Sequence, residues 1–193
     1  YTDTPNLFHA DLGVRYMFNP KFGLKLDVGY DQFQERKDTP EFDSKYYRAS
    51  LQGVVNLGNV LDFRSWTNRF NVLLHGGAGY SANKPKSPIN YQNKDQMLNF
   101  IVGITPQIKL TERLALTGDL SLINHVRQSV TWDGTQSLNS TLSNNQQRGF
   151  NGTIVNANVG LTFYLGKKGI HADWYSEENT LRKEIDSLNG LKH

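Results

Sequence analysis

Side-chain alternation of the kind found in β-strands runs through most of this chain. In residues 155–165 every second position is apolar, and these positions are Val155, Ala157, Val159, Leu161, Phe163 and Leu165. Successive side chains of a strand point to opposite faces, so such a strand has one apolar face and one polar face. Six earlier segments share the pattern, starting near residues 8, 24, 47, 70, 100 and 114. The sequence therefore predicts seven long strands, each close to the length that crosses a bilayer at a tilt.

The polar face of these strands decides which kind of barrel they form. A soluble ligand-carrying barrel turns its apolar face inward, whereas a membrane barrel turns it outward. Here the polar face carries mid-strand charges of both signs, which can neutralise one another inside a closed lumen. These residues are Asp11, Arg15, Lys25, Asp27, Arg48, Lys109, Asp119 and Arg127. The prediction is an all-β fold, an eight-stranded up-and-down antiparallel transmembrane β-barrel, followed by a short α-helix. The mean hydropathy of -0.55 does not oppose it, because alternating strands average out in any window.

Charge pairing also predicts a register for the first hairpin. A three-residue link after the first strand would place Arg15 opposite Asp27, where the two side chains form an internal salt bridge. The alternative register sets Arg15 against Lys25, which like-charge repulsion disfavours. We therefore expect the pair between Arg15 and Asp27.

The links between strands differ in length at the two ends of the barrel. Tight links occur at 19–22 and 111–113, and long polar links occur at 36–45, 82–96 and 129–150. Outer-membrane barrels have short periplasmic turns and long external loops, so both the first and the last of the seven strands would run toward the periplasm. An even-stranded barrel then needs an eighth, N-terminal strand. We expect this strand to be cleaved, unresolved or replaced by a strand of another polypeptide. The alternative is a further strand within 129–150, around the sequence QSVTW.

The last strand carries a pattern similar to the C-terminal signal by which the barrel-assembly machinery recognises its clients. The positions that match this signal are Asn158, Gly160, Phe163 and Leu165. The sequence GIHADW follows, and then a predicted helix with Ser176 as its N-cap and one apolar stripe of Leu181, Ile185 and Leu188.

The alternating barrel, the terminal NVGLTFYLGKK, the following HADW and the charged helical linker together resemble the OmpA-type family in its Bacteroidota branch, as does NLGNVLDFRSWTNRFNVLLHGGAGYS at 56–81. The resemblance implies a barrel over 1–166, a periplasmic linker over 167–193 and a peptidoglycan-binding domain beyond 193. It implies a non-catalytic protein of the bacterial outer membrane that tethers this membrane to the cell wall. Its partners would be outer-membrane lipids, the barrel-assembly machinery and peptidoglycan. The absent wall-binding domain and the missing first strand are two departures from the family.

Two other functions stay open at this point. The chain could be a subunit of a larger outer-membrane complex and dock through Leu61, Phe63 and Trp66 in the 57–69 link, or through a shallow groove at Gly76 and Ala78. It could also be a barrel enzyme, with His9, His75 and His125 near Asp11, Asp27 and Asp119. A charged interior plug explains these side chains better, since eight strands enclose just enough space for them.

Composition excludes several other classes of function. Cysteine is absent, which excludes a cysteine-ligated metal site, and the basic residues are scattered at a net charge of +3, which argues against a nucleic-acid surface. We expect no cofactor, no metal-binding residue and no catalytic residue.

Overall fold

A computed structural model describes residues 9–34, 43–87, 95–126, 150–166 and 170–190. Its seven strands are β1 (His9–Met17), β2 (Phe22–Gln34), β3 (Asp43–Asn56), β4 (Phe70–Ser87), β5 (Asp95–Thr111), β6 (Leu114–Val126) and β7 (Phe150–Phe163). Each strand pairs antiparallel with the next one in sequence, in a single curled sheet that resembles half a barrel. The predicted up-and-down antiparallel order of seven strands is confirmed.

Two helices accompany the sheet. Helix α1 (Leu57–Val60) and a 3-10 turn (Phe63–Ser65) lie between β3 and β4, and helix α2 (Glu177–Gly190) follows β7. The predicted N-cap of α2 is confirmed, because the Asn179 N–H donates to Ser176 Oγ at 3.4 Å. Among the described helices, neither is long and apolar enough to cross a membrane.

The sheet buries its polar face and exposes its apolar face. Leu12, Leu51 and Leu120 are 74%, 56% and 49% exposed, whereas the Asp27 and Asn99 side chains are buried. The polar face is the concave one, since the Tyr46 hydroxyl of β3 reaches His125 Nε2 of β6 at 2.6 Å across the interior. This arrangement is the reverse of a soluble domain, in which large apolar side chains are buried.

The register of the first hairpin corrects the sequence prediction. Arg15 lies opposite Lys25, and Asp27 lies opposite Gly13, so the expected pair between Arg15 and Asp27 is wrong. The turn fixes this register, because the Phe18 N–H donates to the Phe22 carbonyl at 3.0 Å. Lys25 bonds Asp27 within its own strand at 3.1 Å, and Arg15 pairs outside the sheet, so the two cations are neutralised separately.

The two outer strands, β1 and β7, pair only with β2 and β6 in the described part of the chain. A cavity of about 870 Å³ is lined by residues of all seven strands, and residues from both faces of β1 and β7 border it. Inside it, the side-chain nitrogen of Asn158 approaches His9 Nε2 at 3.0 Å. The sheet is therefore curled far enough for interior side chains of its two edges to touch.

One predicted link has different strand boundaries in the structure, and other predicted features lie outside the described residues. β4 runs to Ser87 and β5 starts at Asp95, so residues 82–87 and 95–96 of the predicted 82–96 link are strand, and residues 88–94 lie outside the described ranges. Residues 35–42 and 127–149 lie outside the described ranges, and with them Arg127 and the QSVTW segment.

Candidate functional site

A short segment after β7, His171–Trp174, folds back over one end of the sheet. We call it the capping segment, and the end it covers, where the 17–22, 57–69 and 111–114 links lie, the turn end. The segment forms a turn in which the Trp174 N–H donates to the His171 carbonyl at 2.8 Å. Asp173 is fully buried, and Trp174 packs with Tyr164 and Ala115 in a cluster of buried residues.

The Asp173 carboxylate is held from two sides. Its Oδ2 forms an ion pair with the Arg15 guanidinium of β1, and it accepts a hydrogen bond from the Tyr164 hydroxyl at 3.2 Å. The Asp173 N–H donates to His171 Nδ1 at 3.2 Å, which requires that this ring nitrogen carries no proton. A carboxylate without water around it needs such partners, because an unpaired buried charge is costly.

Four side chains from other elements capture the backbone carbonyls of the capping segment. Asn71 Nδ2 of β4 and Asn56 Nδ2 of β3 donate to the Asp173 carbonyl at 3.0 and 3.5 Å. Asn59 Nδ2 of α1 donates to the Ala172 carbonyl at 3.3 Å, and Arg64 Nη2 donates to the Trp174 carbonyl at 3.3 Å. Because these bonds are made to main-chain carbonyls, they fix the path of the backbone of the capping segment. We call Arg15, Asn56, Asn59, Arg64 and Asn71 the seat.

Trp174 is also contacted by two cations. The Arg64 guanidinium carbon lies 5.0 Å from the centre of the Trp174 ring, and Lys109 Nζ lies 6.0 Å from it. A cation over an indole face is attracted by the ring quadrupole. Lys109 also pairs with Glu112 at 2.8 Å, so it belongs to the turn end and not to the predicted lumen cluster.

The link between β3 and β4 contains or flanks four of the five seat residues, and its local conformation positions them. Asn56 caps α1 by accepting the Asn59 N–H at 3.4 Å, and Asp62 adopts a left-handed backbone with φ of 59°. Gly58 permits a close approach, since a Cβ there would lie 2.2 Å from Asn71 Oδ1 and 2.7 Å from Arg64 Cγ. A larger residue would push apart Asn71 and Arg64, two of the five side chains that hold the capping segment.

Burial shifts the ionisation of three groups at the turn end. Burial lowers the pKa of Arg64, although nearby Asp173 opposes the shift. Burial and the Asp173 charge raise the pKa of Tyr164, so its hydroxyl stays a donor. Burial lowers the pKa of His171, whose ring stacks against Tyr164 with centroids 4.2 Å apart, and the Asp173 charge offsets only part of that effect.

The predicted lumen charges divide into separate groups. Arg48 Nη2 donates to Asp11 Oδ2 at 3.1 Å and to Asp27 Oδ1 at 3.2 Å, and Lys25 joins the same group through Asp27. Asp119 instead bonds Thr105 at 2.8 Å and lies 3.0 Å from His75. Four of the eight predicted charges, Asp11, Lys25, Asp27 and Arg48, therefore form one cluster.

The three interior histidines each have polar neighbours. His9 Nδ1 lies 2.6 Å from Asp31 Oδ1, His75 Nδ1 lies 2.6 Å from Gln52 Oε1, and His125 bonds Tyr46. These contacts are those of an interior hydrogen-bonded packing. Among the described residues, no group of three His, Cys, Asp or Glu side chains is placed to hold a metal ion.

The predicted assembly-signal and partner residues lie on separate surfaces. All four signal residues border the cavity; Asn158 lies opposite Asp119 of β6, and Phe163 and Leu165 are 67% and 91% exposed. At the turn end, Leu61 and Trp66 are 66% and 76% exposed, and the Phe63 ring lies 6.3 Å from Trp66. Ala78 is exposed and Gly76 half-buried on the apolar face of β4.

Sequence reasoning missed the seat. It named HADW only as part of a resemblance and placed Arg15 with Asp27. The sequence feature that could have indicated the seat is the pair Asp173 and Trp174, which lies between the last strand and an N-capped helix. The chain also has a lumen-facing arginine, Arg15, near the turn end. Comparison of the chain with family models, with curated proteins and with solved structures gives no match.

Proposed function

We propose that this chain is the membrane part of a non-catalytic outer-membrane anchor. Its strands form a closed eight-stranded transmembrane barrel, and α2 leads to a periplasmic domain that binds peptidoglycan. The observation that carries the proposal is the inverted sheet, with its leucines exposed and its Asp27 and Arg48 side chains buried. Such a surface is stable against acyl chains and unstable in water. The OmpA-type resemblance of the sequence supports the tethering role.

The outer edges of β1 and β7 also support a closed barrel, because they would be unpaired in an open sheet. In lipid, each unpaired backbone group of β1 and β7 would cost several kcal/mol, roughly the value for an unsatisfied polar group in hydrocarbon. Because strand directions alternate, β1 and β7 run in the same direction. One antiparallel strand between them would pair with both, and we propose that such a strand completes the barrel.

Hydrogen exchange in bilayers tests this closure. We expect amides of β1 and β7 to be as protected as those of β3 and β4. Fast exchange along both edges would overturn it. The intact mass of the mature polypeptide shows whether the closing strand belongs to the same chain.

Wall attachment tests the anchor itself. After brief chemical cross-linking of host cells, sacculi are isolated in boiling detergent and probed for the full-length protein. We expect the protein on the sacculi, and expect its loss when the region after residue 193 is removed. Absence of the full-length protein from the sacculi would contradict the tethering role. In that role the barrel is inserted by the barrel-assembly machinery, with Asn158, Gly160, Phe163 and Leu165 as the signal.

A second candidate function is that of a subunit in a larger outer-membrane complex. The exposed Leu61 and Trp66 side chains at the turn end favour it. Copurification in mild detergent separates the two functions, since a lone anchor migrates by itself. Loss of a stoichiometric partner in a Trp66→Ala variant, with Leu181→Ala as the control, would establish the subunit role.

A further inference from the structure

Tension on the linker poses a mechanical problem for a barrel. If α2 connects to the cell wall, which rests on the function proposed above, pulling on it loads the end of the chain after β7. A strand pulled from its end separates from its neighbour one hydrogen bond at a time. β7 would open from the pair Phe163–Leu114 upward, and each step would meet little resistance.

The capping segment lies between that load and β7. Its contacts reach elements other than β7: Arg15 in β1, Asn56 in β3, Asn59 in α1, Arg64 in the 3-10 turn and Asn71 in β4. Of the described groups that bond Asp173, only Tyr164 and His171 lie after β7 in sequence. A pull on α2 therefore reaches Trp174 and the seat before it reaches the end of β7.

We propose that the capping segment is a force-transmitting anchor, which passes periplasmic tension into β1, β3 and β4 and shields β7 from being peeled. The Asp173 ion pair, the captured carbonyls and the Trp174 ring are placed within three consecutive residues, so a pull on α2 loads them at the same time. Because Asn56, Arg64, Asn71 and Asp173 are buried, water does not replace their bonds until the segment has left. Parallel bonds resist a pull better than the same bonds broken in turn.

Single-molecule force spectroscopy in a supported bilayer tests this proposal directly. The chain has no cysteine, so Leu188→Cys gives a single attachment point after the capping segment, and Ile170→Cys gives a single attachment point before it. We expect the Leu188→Cys protein to show an extra rupture before strand extraction, releasing up to roughly 28 Å of chain for residues 167–174. We expect the Ile170→Cys protein to lack this event and to lose β7 at lower force.

Equal force profiles from the two attachment points would overturn the proposal. This comparison keeps the seat and the capping segment intact, so it does not depend on a variant that fails to fold. In the Leu188→Cys protein, Asp173→Asn should lower the force of the extra rupture, because it removes the ion pair with Arg15 and keeps the carbonyl bonds. Leu181→Ala on the exposed face of α2 should leave that force unchanged. An unchanged rupture force in Asp173→Asn would also contradict the proposal. The measurement uses purified protein without cell wall, so its outcome is independent of the wall-attachment test.

Discussion

The guanidinium of Arg15 pairs with the buried carboxylate of Asp173, 158 residues later in the chain. This pair joins the first described strand to the segment that follows the last. It also explains how Arg15 can lie opposite Lys25, since each cation has its own carboxylate.

Removing one partner of this pair should destabilise the protein strongly. We expect Asp173→Asn to lower the free energy of unfolding by about 3 kcal/mol, because it leaves the Arg15 charge partly buried and unpaired. Urea unfolding in lipid vesicles measures the change. Arg15→Met in the same background should recover part of the loss, and strict additivity of the two substitutions would show that the pair is not coupled.

Gly58 should tolerate no side chain. We expect Gly58→Ala to cost about 2 kcal/mol, because its Cβ would overlap Asn71 Oδ1 and force the seat apart. The matched control is Gly190→Ala, where a Cβ meets open space. An unchanged midpoint of unfolding for Gly58→Ala would contradict the described geometry of the 57–69 link.

The capping segment should loosen at acidic pH. Burial lowers the pKa of His171 below its ordinary value of 6.5, so the detached segment takes up a proton more readily than the docked one. The stabilisation is complete above pH 6.5 and is lost as the pH falls below it. Tyr164, Asp173 and Arg15 are the titratable groups that face this ring.

Hydrogen exchange of the Trp174 amide, which donates within the capping segment, reports this loosening. We expect faster exchange at pH 5 than at pH 7.5 after correction for the intrinsic rate. His171→Phe keeps a ring against Tyr164 without an ionisable nitrogen and should remove the dependence. A dependence that survives this substitution would assign the effect to another group.

A charged residue on the apolar face of the sheet should lower the free energy of unfolding, because that face contacts lipid in our proposal. We expect Leu51→Arg to lower the free energy of unfolding in vesicles by about 2 kcal/mol, the order found for basic residues on lipid-facing strands. Leu188→Arg on exposed α2 should change it little. Equal effects at both positions would show that Leu51 is not in contact with acyl chains.

The parts of the fold that follow a period were predictable from the sequence. Alternation located all seven strands and assigned Leu12, Leu51 and Leu120 to the exposed face. The register of the first hairpin was not predictable in this way, because it depends on the turn at Phe18–Phe22 and on a partner outside the sheet. The capping segment has no period, and its partners lie in five separate elements, so its place could be found only in three dimensions.

The central claim, that the apolar face of the sheet contacts acyl chains, is tested most directly by spin labels at adjacent positions of β3. A label at Leu51→Cys should be accessible to oxygen, which concentrates in the bilayer, and inaccessible to a water-soluble nickel complex. A label at Ser50→Cys, on the buried face, should be shielded from both. Access of the nickel complex to the Leu51 label in bilayer-reconstituted protein would contradict the account.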